Sequence, residues 1–368
     1  MSSTRFGKKC AVCGVKKSEE QKLLKCSRCH SVRYCSAAHQ KEHWKIHKKL
    51  CKSVVENTED ILWTARMNQG FDMAYDFIET GFIDGFKAIL DHNKELVNWA
   101  LKEYHNSTLL HAACFHNEAS FVEVLLDRGA HVNATADDGY SPLMISAIEG
   151  HASCISLLLS RGADVHIRGA ETVSAAIALA AQNGHISCLS QLIDAGADVN
   201  VGNKNGYTPL MFASQNNHIN CVSMLLDRGA DINLMDEEGF SAVLVASRKG
   251  HQSIISLLLD RGAPLETRKN NIGGTPLMYT AHNGHASCLS MLLDRGANIN
   301  AVGEDLGATS LMLATGGGHR SCVSILLDRG ADTSVVDNFG QTLLQLASDP
   351  AIFKMIAKAN ARTDKSSR

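Results

Sequence analysis

No apolar run in this 368-residue chain approaches the roughly 20 residues needed to cross a bilayer. Met1 to Lys9 also lacks the apolar stretch of a secretory signal. The two absences exclude a spanning or exported protein and set the expectation of a soluble intracellular one, cytoplasmic, nuclear or both. Catalytic signatures are missing as well: there is no nucleophile elbow, no phosphate loop and no isolated carboxylate pair. Gly316-Gly317-Gly318 comes nearest to a phosphate loop and lacks the Lys-Ser/Thr that would complete it. No enzyme is expected. Net charge is almost absent too, at -2, and the composition of 45% apolar and 20% charged residues excludes a disordered or collagen-like chain.

What is present is unevenly distributed. Residues 1 to 52 carry fourteen basic side chains against three acidic ones, whereas the rest of the chain has an acidic excess of thirteen. Such a split marks a domain boundary. In a reducing compartment twelve cysteines serve as metal ligands or core residues rather than disulfides, and here they fall into two groups of six.

The first group belongs to the spacing Cys10-x2-Cys13-x12-Cys26-x2-Cys29-x5-Cys35-x3-His39-x7-His47-x3-Cys51. Eight thiolate and imidazole donors suit two closed tetrahedral zinc sites, and each CxxC puts two sulfurs on one tight turn. Cys35 with His39, and His47 with Cys51, stand four apart and so share a helix face. Spacing alone leaves interleaved and sequential pairing open, with His30 and His43 as rival donors. A segment this short with few large apolar residues cannot fold on its core, and structural zinc supplies on the order of 10 kcal/mol of folding free energy.

The stretch from Tyr34 to Cys51 resembles the MYND zinc finger. That resemblance implies interleaving: Cys10, Cys13, Cys35 and His39 on one ion, and Cys26, Cys29, His47 and Cys51 on the other. It departs from the family at His39, where cysteine is usual, so a Cys3His site is expected. MYND fingers mostly bind proline-containing peptides, and the matching groove positions are Gln40 and Trp44. The plainer reading of Trp44 is packing within the small core. Nucleic acid is the less favoured partner, because Tyr34 and Trp44 are the only aromatic pair among the lysines and no base-reading helix is recognisable.

After Asn106 the chain repeats itself. A glycine closing an LLDRGA-like string recurs at Gly129, Gly162, Gly196, Gly229, Gly262, Gly296 and Gly330, at intervals of 33 or 34 residues. Upstream of each stands an apolar helix, and before that a Thr/Ser-Pro-Leu-Met tetrapeptide or a relative of it, as at Ser141 to Met144, Thr208 to Met211 and Thr275 to Met278. The segment resembles the ankyrin repeat. Each unit reads as two short antiparallel helices that bury their apolar faces only by stacking on neighbours. The expected fold is mostly α: an ankyrin-repeat solenoid behind a small two-zinc MYND finger. Its boundaries read as a finger over 1–52, a helical connector and worn cap repeat over 53–105, seven repeats over 106–338, and a cap repeat with polar tail over 339–368.

Two regular columns invite chemistry and have a simpler explanation. Cys154, Cys188, Cys221, Cys288 and Cys322 share one repeat column with Phe121 and Ile254, an interchange expected of a buried apolar site. His151, His185, His218, His251, His285 and His319 stand one repeat apart, too far to share an ion. The histidine of the family tetrapeptide survives only at His111. Met144, Met211, Met278 and Met312 replace it in four units and are expected to exchange a hydrogen-bond network for apolar packing. The third repeat has Ala175-Ala176-Ile177-Ala178 instead of the tetrapeptide and should be the weakest.

The resemblance implies a concave partner-binding surface made of turn tips and first helices, and Tyr140, Tyr207 and Phe240 occupy the tip position that faces it. Acidic tips favour a basic partner. A RING-type ligase is disfavoured because its last ligand pair is CxxC, and a methyltransferase because no SET domain fits around the finger. The expected function is a zinc-binding adaptor that joins proteins, with oligomeric state left open.

Overall fold

In the computed structural model the described residues are 24–25, 33–34, 67–101, 105–169, 174–268 and 273–366, with side chains described from 70 to 361 within these ranges. They divide into two compact units. The first comprises the described residues up to Ser146 together with Ser153–Asp164; the second comprises Ala147–Ala152 and everything from Val165 onward.

The first unit opens with a two-residue antiparallel ladder in which Leu24 faces Tyr34 and Lys25 faces Arg33. Helices Met67–Thr80 and Ile83–His92 follow as an antiparallel pair, the helices of the worn cap repeat. Phe71, Ile78, Phe86 and Leu90 form its buried seam. Helices Leu109–Phe115 and Ala119–Asp127 make the first full repeat, and Phe86 meets Phe121 with ring centroids 4.9 Å apart.

The second unit repeats this pair with little variation. Its first helices are Ala176–Asn183, Pro209–Gln215, Ala242–Lys249, Pro276–His282 and Ser310–Gly316. The matching second helices are Ile186–Asp194, Ile219–Asp227, Gln252–Asp260, Ala286–Asp294 and Arg320–Asp328. Helix Pro142–Glu149 starts in the first unit and ends in the second. At the C-terminal end a four-residue helix, Leu343–Leu346, precedes Pro350–Ser366, on which Lys354 and Lys358 are exposed as expected of a polar cap.

Local chemistry accounts for these boundaries. Thr208, Thr275 and Thr309 sit in extended backbone and accept from the N–H three residues on, while Pro209 and Pro276 occupy the first turn, where an N–H would be orphaned. Second helices close on glycines with φ between +82° and +96° at Gly129, Gly162, Gly196, Gly229, Gly262 and Gly296, a conformation that costs other residues dearly.

Neighbouring repeats are stapled by side chains that recur in register. The Nε2 atoms of His185, His218, His251, His285 and His319 lie 2.8 to 3.1 Å from the carbonyl oxygens of Ile148, Gln182, Gln215, Arg248 and His282. The ring of His185 leaves no room for a Cβ at Gly150, and His285 does the same to Gly250. On the outer edge Arg128 pairs with Asp91 and Arg161 with Asp127 in the first unit. Arg228, Arg261, Arg295 and Arg329 pair with Asp194, Asp227, Asp260 and Asp294 in the second, at 2.6 to 2.7 Å. Solvent screens these exposed pairs, so register rather than strength is their contribution.

The methionines depart from the expectation of plain filler. Met211 and Met278 are buried, yet each Sδ lies 3.5 Å from the backbone N–H of its capping threonine, Thr208 or Thr275. In the first repeat His111 Nδ1 occupies that place, 3.1 Å from the N–H of Thr108, and in the last Gln345 Oε1 does so for Thr342 at 2.8 Å. The capping bond therefore persists in a weaker form where the histidine is gone.

Candidate functional site

Chemistry-bearing residues fall in two places, and the finger donors come first. Cys10, Cys13, Cys26, Cys29, Cys35, His39, His47 and Cys51, with Gln40 and Trp44, lie outside the described residues. The Leu24–Tyr34 ladder brings the chain before Cys26 beside the chain before Cys35. Six thiols and two imidazoles form a borderline-soft donor set that matches zinc in number and kind.

Among the described residues no group of three or more His, Cys, Asp or Glu could hold a metal. The regular cysteines are buried, and burial pushes the Cys221 and Cys322 thiols up to about 11. Thiols so protonated are poor nucleophiles. The Cys154 Sγ lies 3.7 Å from Asn117 Oδ1.

The tips and first helices hold the second group. Tyr140 is half-buried, and its carbonyl accepts from the backbone N–H of Ala136 and lies 3.1 Å from His111 Nε2. Tyr207 is also half-buried and donates its hydroxyl to Gln215 Oε1. Phe240 differs from the exposed anchor expected there: it is 4% exposed and packs with Leu244 and Val245, against Tyr207 and Tyr279. The guanidinium of Arg248 covers its ring at 4.6 Å, a cation–π contact that holds the residue within the repeat.

Tyr279 and Arg248 were missed as site residues. Tyr279 follows the tetrapeptide Thr275 to Met278, as Phe212 follows Thr208 to Met211, so an aromatic after the methionine was the available signal. Its ring lies 5.3 Å from that of Phe240, as Phe212 lies 4.7 Å from Tyr207. Burial raises both phenols, Tyr207 and Tyr279, above the ordinary tyrosine range, so both hydroxyls are hydrogen-bond donors at neutral pH. Five exposed apolar side chains of this unit stand at its tips, Met235, Val302, Leu306, Val336 and, at 72% exposure, Phe339, while Ile186, Ile219 and Phe353 are exposed on helices.

These helix pairs, tips and staples define an ankyrin-repeat protein. The ankyrin-repeat family model matches residues 85–169, 170–236 and 228–303, with a further single repeat at 306–338, and the chain belongs to that family. The MYND finger model matches residues 10–51, so a zinc-binding module precedes the repeats. Among known proteins the chain is similar to the human ankyrin repeat and KH domain-containing protein 1, at 34% identity over 108 residues. It also resembles the human BCL-6 corepressor-like protein 1, at 40% over 57 residues. These stretches cover 29% and 16% of this chain but only 4% and 3% of the relatives. Among solved structures the human ASB11 ankyrin repeat domain superposes with a TM-score of 0.55 at 26% identity, covering 60% of this chain and 98% of that one. Both modules are protein-interaction modules, and among the described residues no helix is long and apolar enough to cross a membrane.

Proposed function

We propose that this protein is a non-enzymatic, two-ended adaptor. The finger, folded around two zinc ions, holds one protein through a proline-containing peptide at Gln40 and Trp44. The tips and first helices of the repeats hold another. One observation carries the reading: the His, Cys and Asp-Arg columns that would supply chemistry pair across repeats or lie buried, while the turn tips present Met235, Val302, Leu306, Val336 and Phe339 to solvent. An extended face of this kind suits a protein partner better than a small substrate.

Affinity capture tests it. The intact chain, a Cys26→Ser/Cys29→Ser variant and a Tyr140→Ala/Tyr207→Ala variant are compared as baits. Each variant should lose a different set of partners and keep the other's. Loss of the same set from both, or from neither, would overturn the two-ended arrangement.

A further inference from the structure

Between the sixth and seventh repeats lies a cavity of about 150 Å³ that helix pairing does not require. Gly274, Met278, Tyr279 and the imidazole-bearing His282 line one side, and Leu306, Ala308 and Leu313 the other. The surface the cavity exposes is mostly apolar. An apolar cavity on the order of 150 Å³ takes up a benzene-sized molecule, so the volume suits one leucine- or phenylalanine-like side chain. A mostly apolar surface offers little to a metal ion or a phosphate.

Two further features point to an occupant. The Tyr279 hydroxyl is buried with no hydrogen-bond partner among the described residues, a costly state that a carbonyl oxygen arriving from outside would relieve. A Cβ at Gly274 would stand 3.0 Å from the Tyr279 ring, so glycine there lets the phenol pack against the backbone at the cavity wall. At the rim Leu306 is 40% exposed.

Charge then selects the partner. Arg248, Glu238 and Asp236 all lie close enough to act on the Tyr279 hydroxyl, and Glu304-Asp305 precede Leu306 on the other side. The guanidinium of Arg248 sits over the Phe240 ring, and that of Arg268 lies 2.9 Å from the Val302 carbonyl and 4.0 Å from Glu304. Among the described residues these four carboxylates outnumber the two guanidiniums, so the rim favours a basic ligand.

We propose that this cavity is the anchor pocket of a peptide site. It takes one leucine- or phenylalanine-like side chain from a partner segment flanked by Lys or Arg, while Tyr279 Oη donates to a backbone carbonyl of that segment. The proposal rests on the reading of the repeats as a partner-binding face and specifies its ligand.

The test selects a random 12-residue peptide phage library on the full-length chain, then measures enriched peptides by fluorescence anisotropy. Enriched peptides should share one large apolar residue flanked by basic ones. Leu306→Lys should weaken them by about tenfold or more. Tyr279→Phe should weaken them about fivefold, the loss expected for one hydrogen bond, and leave the melting temperature unchanged or higher, since the hydroxyl has no partner in the free protein. If Leu306→Lys disturbs folding, the Tyr279→Phe arm still decides. Acidic or anchorless peptides, or affinities indifferent to both changes, would overturn the pocket. Binding lost instead with Phe115→Ser, a 51% exposed residue of the first repeat, would overturn it and leave the repeats as a partner-binding face. No enrichment at all overturns the pocket as well, and the adaptor reading is then decided separately by the capture experiment.

Discussion

At the scale of single residues, one position changes identity along the chain while keeping its task. Three residues after the capping Thr, an acceptor faces the cap's own N–H: Nδ1 of His111, Sδ of Met211 and Met278, Oε1 of Gln345. The imidazole carries a second nitrogen, which here reaches the Tyr140 carbonyl of the next repeat at 3.1 Å. With Nδ1 accepting and Nε2–H donating, His111 must be neutral, and burial lowers its pKa below the ordinary 6.5. The unfolded chain therefore takes up its proton first as pH falls. The stability owed to neutral His111 is complete above about pH 6.5 and is lost as pH drops through the lower folded value. His111→Met imports the residue used by the other repeats and gives up the bond to Tyr140, so it should cost about 1 kcal/mol at pH 7.5. Urea melts at pH 7.5 and 5.0 should show that penalty shrinking in acid, and a penalty that grows would refute the neutral assignment.

At the scale of elements, the third repeat has lost its cap. Ala175 stands at the N-cap of helix Ala176–Asn183 in the extended conformation that threonine adopts elsewhere, with no side-chain hydrogen bond, although Ala176 to Ala181 are all buried. Hydrogen exchange should be fastest here among the internal repeats. Ala175→Thr should slow it and add about 1 kcal/mol, because the buried sites of Thr208 and Thr275 hold the same side chain in the same geometry. Exchange unchanged by the substitution would mean that burial alone sets the local opening. The missing cap was legible in the sequence, as were the helix pairs and the structural roles of the histidine and cysteine columns, because a 33- or 34-residue period exposes every substitution against its copies. The burial of Phe240 was not. Its tip position is shared with the half-buried Tyr140 and Tyr207, and what covers it is Arg248 from the following helix and Tyr279 from the next repeat. Contacts made across repeats by residues outside the consensus leave no periodic trace. The unpartnered Tyr279 hydroxyl was illegible for the same reason, since an absent hydrogen bond has no sequence signature.

At the scale of the whole molecule, the chain combines two ways of becoming stable. The repeats bury apolar surface against their neighbours, and the basic first 52 residues, with few large apolar side chains, are expected to depend on metal. Native mass spectrometry of the intact chain should therefore find two zinc ions, removed by a chelator. The pairing follows from a double substitution. In the interleaved arrangement Cys13 and Cys35 serve the same ion, so Cys13→Ser/Cys35→Ser damages one site and one zinc should remain. In a sequential arrangement the same two cysteines belong to different ions, and both should be lost. Retention of one zinc, with Cys26→Ser/Cys29→Ser also retaining one, establishes two independent interleaved sites; loss of both in the Cys13/Cys35 variant would assign the first four cysteines to a single ion.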